Sequence, residues 1–446
     1  MGERVSFTGR RAFLLIWGGQ TLSLVGTSMT RFALLIWGWD QTGRATTLAL
    51  LLTWQMGATV LLSPLAGVLV DRWSRKAVMM FSDLGSGLVT ISLVALYLGG
   101  DLQVVHIYAA AAAYGAFETF QFPAYSAAVT MLLPGSDYAR ASGLISMAES
   151  GSRILGPPLA GALLPLVGFT NILAIDLATF LVAVSALALA RVPPPLVTAE
   201  GEAGRRLNIF SQMAFGFHYI FRRRGLLGLQ LLLAAGNFLL VFGVVLRAPL
   251  ILGRTAGNEV LLGQVMGAAG LGGALGGVLL AVWGGPARGK IRGVLGGWTL
   301  SAVGNVVLGL GRGVGTWAVG AFLYPFALTV TNGLNQAIWQ AKVAPDVQGR
   351  VFATRRLIAQ FSLLPAMALA GPLVDGWLAP AMDDGGSLTG LIGPVLGTGP
   401  GAGSALLVVV TGALGLLVTS AGWLMPAVRR VEDDLPDHAA VKGEGG

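Results

Sequence analysis

The chain is 446 residues long, 54% hydrophobic and only 11% charged, and it contains no cysteine. A soluble domain carries about 25% charged residues, so this chain lacks the polar surface to stay in water, and without cysteine it holds neither a disulfide nor a thiolate metal site. The net charge of +8 does not mark a nucleic-acid binder, because the basic residues are scattered over short loops instead of forming one patch.

Apolar runs of about 20 residues, each long enough to cross a bilayer core of about 30 Å as a helix, recur from Phe13 to Pro426. Punctuated by Gly, Pro and charge, they predict twelve membrane helices. The first six lie at 12–38, 46–70, 77–99, 104–127, 139–165 and 168–190. The second six lie at 225–251, 260–283, 292–311, 314–338, 352–376 and 403–426. The first run is too long for the apolar core of a cleaved signal. Between the two sets lies "RVPPPLVTAEGEAGRRLNIFSQMAFGFHYIFRRR" (191–224). Its Pro and charged residues make a linker, and its Phe, Ile and Met spacing predicts a short amphipathic helix on the membrane surface. The predicted organisation is therefore all-α: a six-helix bundle over 1–190, a cytoplasmic linker over 191–224, a second six-helix bundle over 225–427 and a cytoplasmic tail over 428–446. The glycines at 393–403 read as a flexible loop.

Charge then orients the chain, since Lys and Arg accumulate on the cytoplasmic side of short loops. Of the 29 Lys and Arg residues, 23 fall in the segments on one side, against Arg44, Arg254 and Arg312 on the other. Both termini are expected in the cytoplasm, which requires an even number of spans, and the expected location is the inner (plasma) membrane. The halves also resemble each other. "GVLVDRW" (67–73) has a counterpart in "GVLLAVW" (277–283), Pro134 in Pro345, and "GP" at 156–157 in "GP" at 371–372, in order and at a nearly constant offset. Two related six-helix halves with a midplane cavity between them form a transporter architecture.

"GVLVDRWSRK" (67–76) places Asp71, Arg72, Arg75 and Lys76 between the second and third spans. Gly67 lets two helices approach, the three bases hold the loop at the membrane surface, and Asp71 stands at a helix start, where an acid accepts backbone N–H bonds or pairs with Arg. This stretch resembles the signature loop of the major facilitator superfamily, although Ser74 stands where that family often has Gly. The resemblance implies a fold of two pseudo-symmetric bundles and a conformational latch formed by Gly67, Asp71, Arg72, Arg75 and Lys76. In the second copy Ala281 replaces the acid. Within that superfamily the chain looks like the bacterial macrolide-efflux and siderophore-export permeases, through "FLLIWGGQTLSLVGTSMTRFALLIW" (13–37), "FPAYSAAVTMLLP" (122–134) and "RASGLISMAESGSRILGPPLAGALL" (140–164). "GPPLAG" (156–161) is similar to the fifth-helix motif of proton-coupled exporters, in which Gly156 and Pro157 bend a helix at a seam and small residues such as Gly161 close it. Packing alone is the competing reading.

Ionisable groups inside spans are expensive and so are functional candidates by default. Arg31, late in the first span, is either a partner for an interior acid or an interfacial residue. Asp83 reads as structural, a partner for the basic loop. Glu118, mid-span in "AFETFQFPA", is the best candidate for a protonatable coupling group, because apolar surroundings favour the neutral carboxyl. Glu149 and Arg153 are spaced i, i+4 and should meet on one helix face. Asp176 and Arg247 read as interfacial. Phe120, Phe122, Tyr324 and Trp339 are candidates to line an apolar cavity. The run "GQVMGAAGLGGALGG" (263–277) has no preceding strand and no phosphate-binding Lys, so close helix packing explains it better than nucleotide binding. The three histidines are scattered, and no metal site, cofactor site or catalytic constellation is read. The expected protein is a monomeric secondary transporter, not an enzyme, with the lipid bilayer, a small-molecule substrate and protons as partners. It would export a hydrophobic or amphipathic molecule (a drug, macrolide or siderophore) in exchange for protons. The alternative is a lipid or lysolipid flippase, or a small-solute facilitator or importer on the same fold.

Overall fold

The computed structural model describes residues 9–133, 138–192, 216–286, 288–343 and 348–434. The chain falls into two compact units, Met1–Leu196 with Ile251–Gly267, and Val197–Leu250 with Ala268–Gly446. Residues 251–267 group with the first unit. Ten helical segments among the described residues are long and apolar enough to cross a membrane.

The first unit contains α1 (Gly9–Thr42), α2 (Ala45–Arg72), α3 (Arg75–Gly99), α4 (Val104–Leu132) and α5 (Tyr138–Leu189). Short turns join α1 to α2, α2 to α3 and α3 to α4. Gly43 (φ 60°) ends α1, and Gly100 (φ 78°) ends α3, its N–H donating to the carbonyl of Tyr97 at 3.1 Å while Asp101 N–H reaches Leu96 at 2.9 Å. Such left-handed C-caps favour glycine because a Cβ is strained there. α5 has 52 residues, about 78 Å at 1.5 Å per residue, more than twice the bilayer core. It breaks at Gly168, whose φ of 80° and ψ of 168° are not helical. The predicted spans 139–165 and 168–190 are its two arms.

α1 packs along α5, α2 along α4, and α3 against both α4 and α5. Phe13 and Ile16 of α1, Met79 of α3, Tyr125 and Val129 of α4 and Leu187 of α5 share one buried cluster. Lipid is as apolar as a leucine side chain, so helices in a bilayer are held by close backbone approach more than by water exclusion. A Cβ added at Gly19 would sit 2.9 Å from the Cβ of Ala186, and one at Gly115 would sit 3.1 Å from the Cα of Gln55. Leu61, Leu88 and Leu166 are exposed by 72, 64 and 79%, as expected of a face turned to lipid.

The second unit holds α6 (Arg224–Val245), most of α8 (Glu259–Trp283), α9 (Lys290–Leu310), α10 (Val314–Lys342), α11 (Gln348–Leu373) and α12 (Ala402–Leu424), with α7 (Arg247–Arg254) following α6 directly. The predicted seventh span, 225–251, is thus broken at Leu246. Its core joins Leu229 and Leu233 of α6, Val294 and Trp298 of α9, Ile338 and Trp339 of α10 and Val428 beyond α12. The glycine-rich run of α8 packs as read from sequence: Cβ atoms added at Gly272 and Gly276 would lie 3.1 and 3.2 Å from the Cα atoms of Phe322 and Phe326 on α10. The expected loop around 393–403 is partly ordered. Thr389–Leu396 is a helix, because Leu388, Ile392 and Leu396 recur at helical spacing and pack with Met382, Ala402 and Leu406 in a satellite core. The expected surface helix of 191–224 lies largely outside the described residues, which resume as helix at 216.

Candidate functional site

The ionisable groups of the first unit are not scattered. α1 and α4 bring Arg31 and Glu118 together, with a guanidinium nitrogen 2.8 Å from Glu118 Oε2 and the two side chains 36 and 49% exposed. From α2, Gln55 Nε2 donates to the same carboxylate oxygen at 3.4 Å. The local scaffold is the close approach of α2 and α4 at Gly115, where Thr59 Oγ1 lies within 3.1 Å of the Gln55 carbonyl and 3.2 Å of the Gly115 carbonyl. Glu118 stands one turn beyond that clamp. On α5, Arg153 acts electrostatically on both Glu118 and Glu149, at a longer range than the Arg31–Glu118 pair. The cluster is thus two carboxylates, two guanidiniums and an amide within one unit.

Asp83 is placed differently from the expectation. It is 2% exposed and its partners are amides, not the basic loop. Gln20 Nε2 of α1 donates to Oδ2 at 2.8 Å, Gln121 Nε2 of α4 donates to Oδ1 at 2.5 Å, and Gln121 also donates to Gln20 Oε1 at 2.7 Å. Asp176 and Arg247, read as interfacial, are buried at 3 and 9% exposure. Asp176 accepts from Thr27 at 3.1 Å, which draws it into the helix packing, and Arg247 faces Tyr324 of α10.

The loop expected to act as a latch shows a local role. Ser74, where the family often has Gly, caps α3 by accepting from Ala77 N–H. Lys76 Nζ donates to the carbonyls of Ala188 and Ala190 at 2.8 and 2.7 Å, so it binds the C-terminal end of α5, where unsatisfied carbonyls and the helix dipole favour a cation. Arg75 donates to the Trp73 carbonyl at 3.1 Å. The side chains of Gly67, Asp71 and Arg72 lie outside the described residues. Replacing Lys76 by methionine is expected to lower stability by about 0.5–1 kcal/mol, the usual size of a helix-terminus charge. Thermal unfolding in detergent checks this, with Lys76→Arg keeping most of the loss at bay.

Gly156 and Gly161 of α5 pack closely against two different helices. A Cβ at Gly156 would run into Ser28 of α1, and one at Gly161 would lie 2.7 Å from the Glu259 carbonyl at the start of α8. Among the cavity aromatics, Phe120 packs against the first core and Tyr324 against the second. Trp339 is fully buried beneath the Arg355 guanidinium, 5.2 Å from its ring centroid, so it is a core residue rather than a cavity wall. The side chain of Phe122 lies outside the described residues. Sequence reasoning missed Gln20, Gln55, Gln121, Thr27, Thr90 and Tyr114. The available signal was polar amides and hydroxyls within apolar runs, which need partners there.

The sequence profile of the Major Facilitator Superfamily matches residues 16–367. Macrolide efflux protein A of Streptococcus pyogenes is 25% identical over 375 residues, covering 81% of this chain and 89% of that protein. An uncharacterized MFS-type transporter of Bacillus subtilis, YfiS, is 24% identical over 390 residues, covering 84% of this chain and 89% of that one. Among solved structures, a bacterial homolog of the human lysosomal transporter Spinster, inward-facing and unoccupied, superposes with a TM-score of 0.67 at 16% identity, over 95% of this chain and 97% of that one. The nucleoside transporter NupG does so with a TM-score of 0.68 at 10% identity, over 92 and 98%. These two likenesses concern the fold. With helices of membrane-spanning length throughout and a family profile that runs across most of them, the chain is a multi-pass membrane transporter and belongs to the Major Facilitator Superfamily.

Proposed function

We propose that this transporter exports hydrophobic or amphipathic small molecules, macrolides among them, in exchange for protons, with both termini in the cytoplasm as the Lys/Arg asymmetry requires. The observation that carries the reading is the Arg31–Glu118 pair, 2.8 Å apart and part-exposed within the first unit. Paired, the two charges cancel. A proton on Glu118 neutralises the carboxylate, breaks the ion pair and leaves the guanidinium as the local charge. A cationic amphipath bound near Glu118 loses its counter-charge in the same step, so proton entry and substrate release exclude one another. Gln55 keeps a hydrogen bond to Glu118 in either state, because its amide both donates and accepts. The curated relatives named as macrolide efflux proteins point to the same substrate class.

The test is transport in proteoliposomes under an imposed pH gradient, with a macrolide and a fluorescent amphipathic cation as substrates. Glu118→Gln preserves shape and hydrogen bonding but cannot take up the proton. Gradient-driven flux is expected to fall at least tenfold in the variant, with downhill exchange retained. Full gradient-driven activity in Glu118→Gln would transfer the coupling role to Glu149 or another acid. Flux through the wild type without any dependence on the gradient would replace antiport by facilitated diffusion or lipid flipping.

A further inference from the structure

Each half of the chain carries an arginine late in its first span. Arg31 and Arg247 are separated by nearly the same offset as the two "GP" dipeptides, so they are counterparts in the repeat. In the first unit Arg31 of α1 meets Glu118 of α4 at 2.8 Å. In the second unit the corresponding helices are α6 with α7, and α10, and there Arg247 faces Tyr324. The acid is missing: α6, α7, α9 and α10 contain neither Asp nor Glu.

Helix packing holds Arg247 in this position. Within the two turns before it, Asn305 Nδ2 of α9 donates to the Leu240 carbonyl at 2.9 Å, and the Asn305 side chain occupies the space that a Cβ at Gly243 would need. α9 in turn touches α10 along glycines. A Cβ at Gly304 would lie 2.9 Å from the Tyr324 backbone nitrogen, and one at Gly320 2.7 Å from the Gly304 carbonyl. These contacts bring the start of α7 to Tyr324. Arg247 is 9% exposed, and its Nε is sealed from solvent without a hydrogen-bond partner. Among the described residues its other guanidinium nitrogens have no acceptor either. The phenol of Tyr324 is neutral and balances no charge. Arginine cannot shed its proton to escape the cost, and a buried charge without its partner is strongly destabilising. An ionisable group inside a span that no protein group satisfies marks a binding site or a pathway.

We propose that Arg247, with the Tyr324 hydroxyl beside it, binds the acidic oxygen group of an amphipathic substrate, so that carboxylic acids with a large apolar body are among the molecules exported. The guanidinium presents its N–H fork to a carboxylate, and the phenol donates one further hydrogen bond to the same group. The incoming carboxylate does for Arg247 what Glu118 does for Arg31. The direction of movement rests on the export reading; the binding step does not.

Purified protein in lipid nanodiscs is titrated at fixed pH with dansyl-aminoundecanoic acid and with its methyl ester, which differ only in the charged end, and empty nanodiscs serve as the blank. The wild type is expected to bind the acid about tenfold more tightly than the ester, the size of one hydrogen bond to a charged group. Arg247→Gln should bring the acid down to the ester and leave the ester unchanged, and Arg247→Lys should restore part of the preference. Tyr324→Phe, which keeps the ring and its packing, should weaken the acid alone. Without ligand, Arg247→Gln should unfold no earlier than the wild type, because it removes an uncompensated buried charge. A clear fall in its Tm would make the arginine part of the packing and overturn the proposal. Equal binding of acid and ester to the wild type overturns it too, as does a preference that survives Arg247→Gln. Downhill flux of the acid in proteoliposomes, lost in Arg247→Gln, supports a transported solute. Binding that lysophosphatidylglycerol displaces, with no flux of the acid, assigns the site to a lipid headgroup and overturns the substrate reading. No pH gradient is applied, so failure here leaves proton coupling through Glu118 standing, and failure of that coupling leaves this site standing.

Discussion

Asp83→Ala is expected to destabilise the protein by about 3 kcal/mol, and Asp83→Asn by about half as much. The difference follows from where the amides of Gln20 and Gln121 would go. In the wild type each donates to Asp83, at 2.8 and 2.5 Å, in a pocket where Gln20 is 5% and Asp83 2% exposed. Alanine removes both acceptors and admits no water in their place. Two donors are then left unsatisfied at about 1–3 kcal/mol each, offset in part by the relief of burying one charge fewer. Asparagine keeps one acceptor oxygen but sets its own N–H2 against the other glutamine donor, so it loses one of the two hydrogen bonds at position 83 where alanine loses both. Thermal unfolding of the three proteins in one detergent decides the matter. A loss in Asp83→Asn as large as in Asp83→Ala would mean that the negative charge, not the acceptor geometry, is what the site requires. Unchanged Tm in both would remove the triad from the account of stability.

The contrast between Asp83 and Glu118 shows what could be read from the sequence and what could not. Span positions were legible because a bilayer demands a minimum apolar length, and α1 to α4 begin and end within a few residues of the predicted limits. The charged candidates were legible for the same reason, since a charge within an apolar run stands out. Their partners were not. The residues that meet at Asp83 lie 63 and 38 positions away in sequence, and glutamine carries no charge to flag it. A uniformly apolar helix also gives little angular information about which side faces protein and which faces lipid, which is why Trp339 was assigned to a cavity and is instead fully buried. The i, i+4 spacing of Glu149 and Arg153 placed them on one helix, but the tight ion pair forms between helices, from Arg31 to Glu118. The break within α5 had a local signal, a glycine between two apolar runs. The order in 389–396 had one too, in the helical spacing of Leu388, Ile392 and Leu396, which the surrounding glycines masked.

Gly161→Leu is expected to abolish transport, with Gly161→Ala intermediate. α5 and the first turns of α8 touch along backbone atoms. A Cβ at Gly161 would stand 2.7 Å from the Glu259 carbonyl, one at Gly263 2.8 Å from the Pro157 carbonyl, and one at Gly267 2.7 Å from Pro158 Cγ. Two of the three neighbours are backbone, which cannot swing aside like the end of a flexible side chain. Alanine therefore forces the helices apart by a few tenths of an ångström, and leucine by far more, at the cost of about 1–3 kcal/mol that overpacking brings. Proline at 157 and 158 makes the strain harder to absorb, because it removes two helical donors and fixes the local backbone. A moving transporter must form such a seam and release it, so a side chain that keeps it open should act on flux before it acts on folding. Flux in proteoliposomes and Tm in detergent, measured on the same preparations, separate the two effects. Loss of flux of at least tenfold in Gly161→Leu with a folded protein supports a seam whose closure the transport cycle needs. Wild-type flux in that variant would show that the close approach of α5 and α8 is packing alone, and Gly161 would then drop out of the functional account.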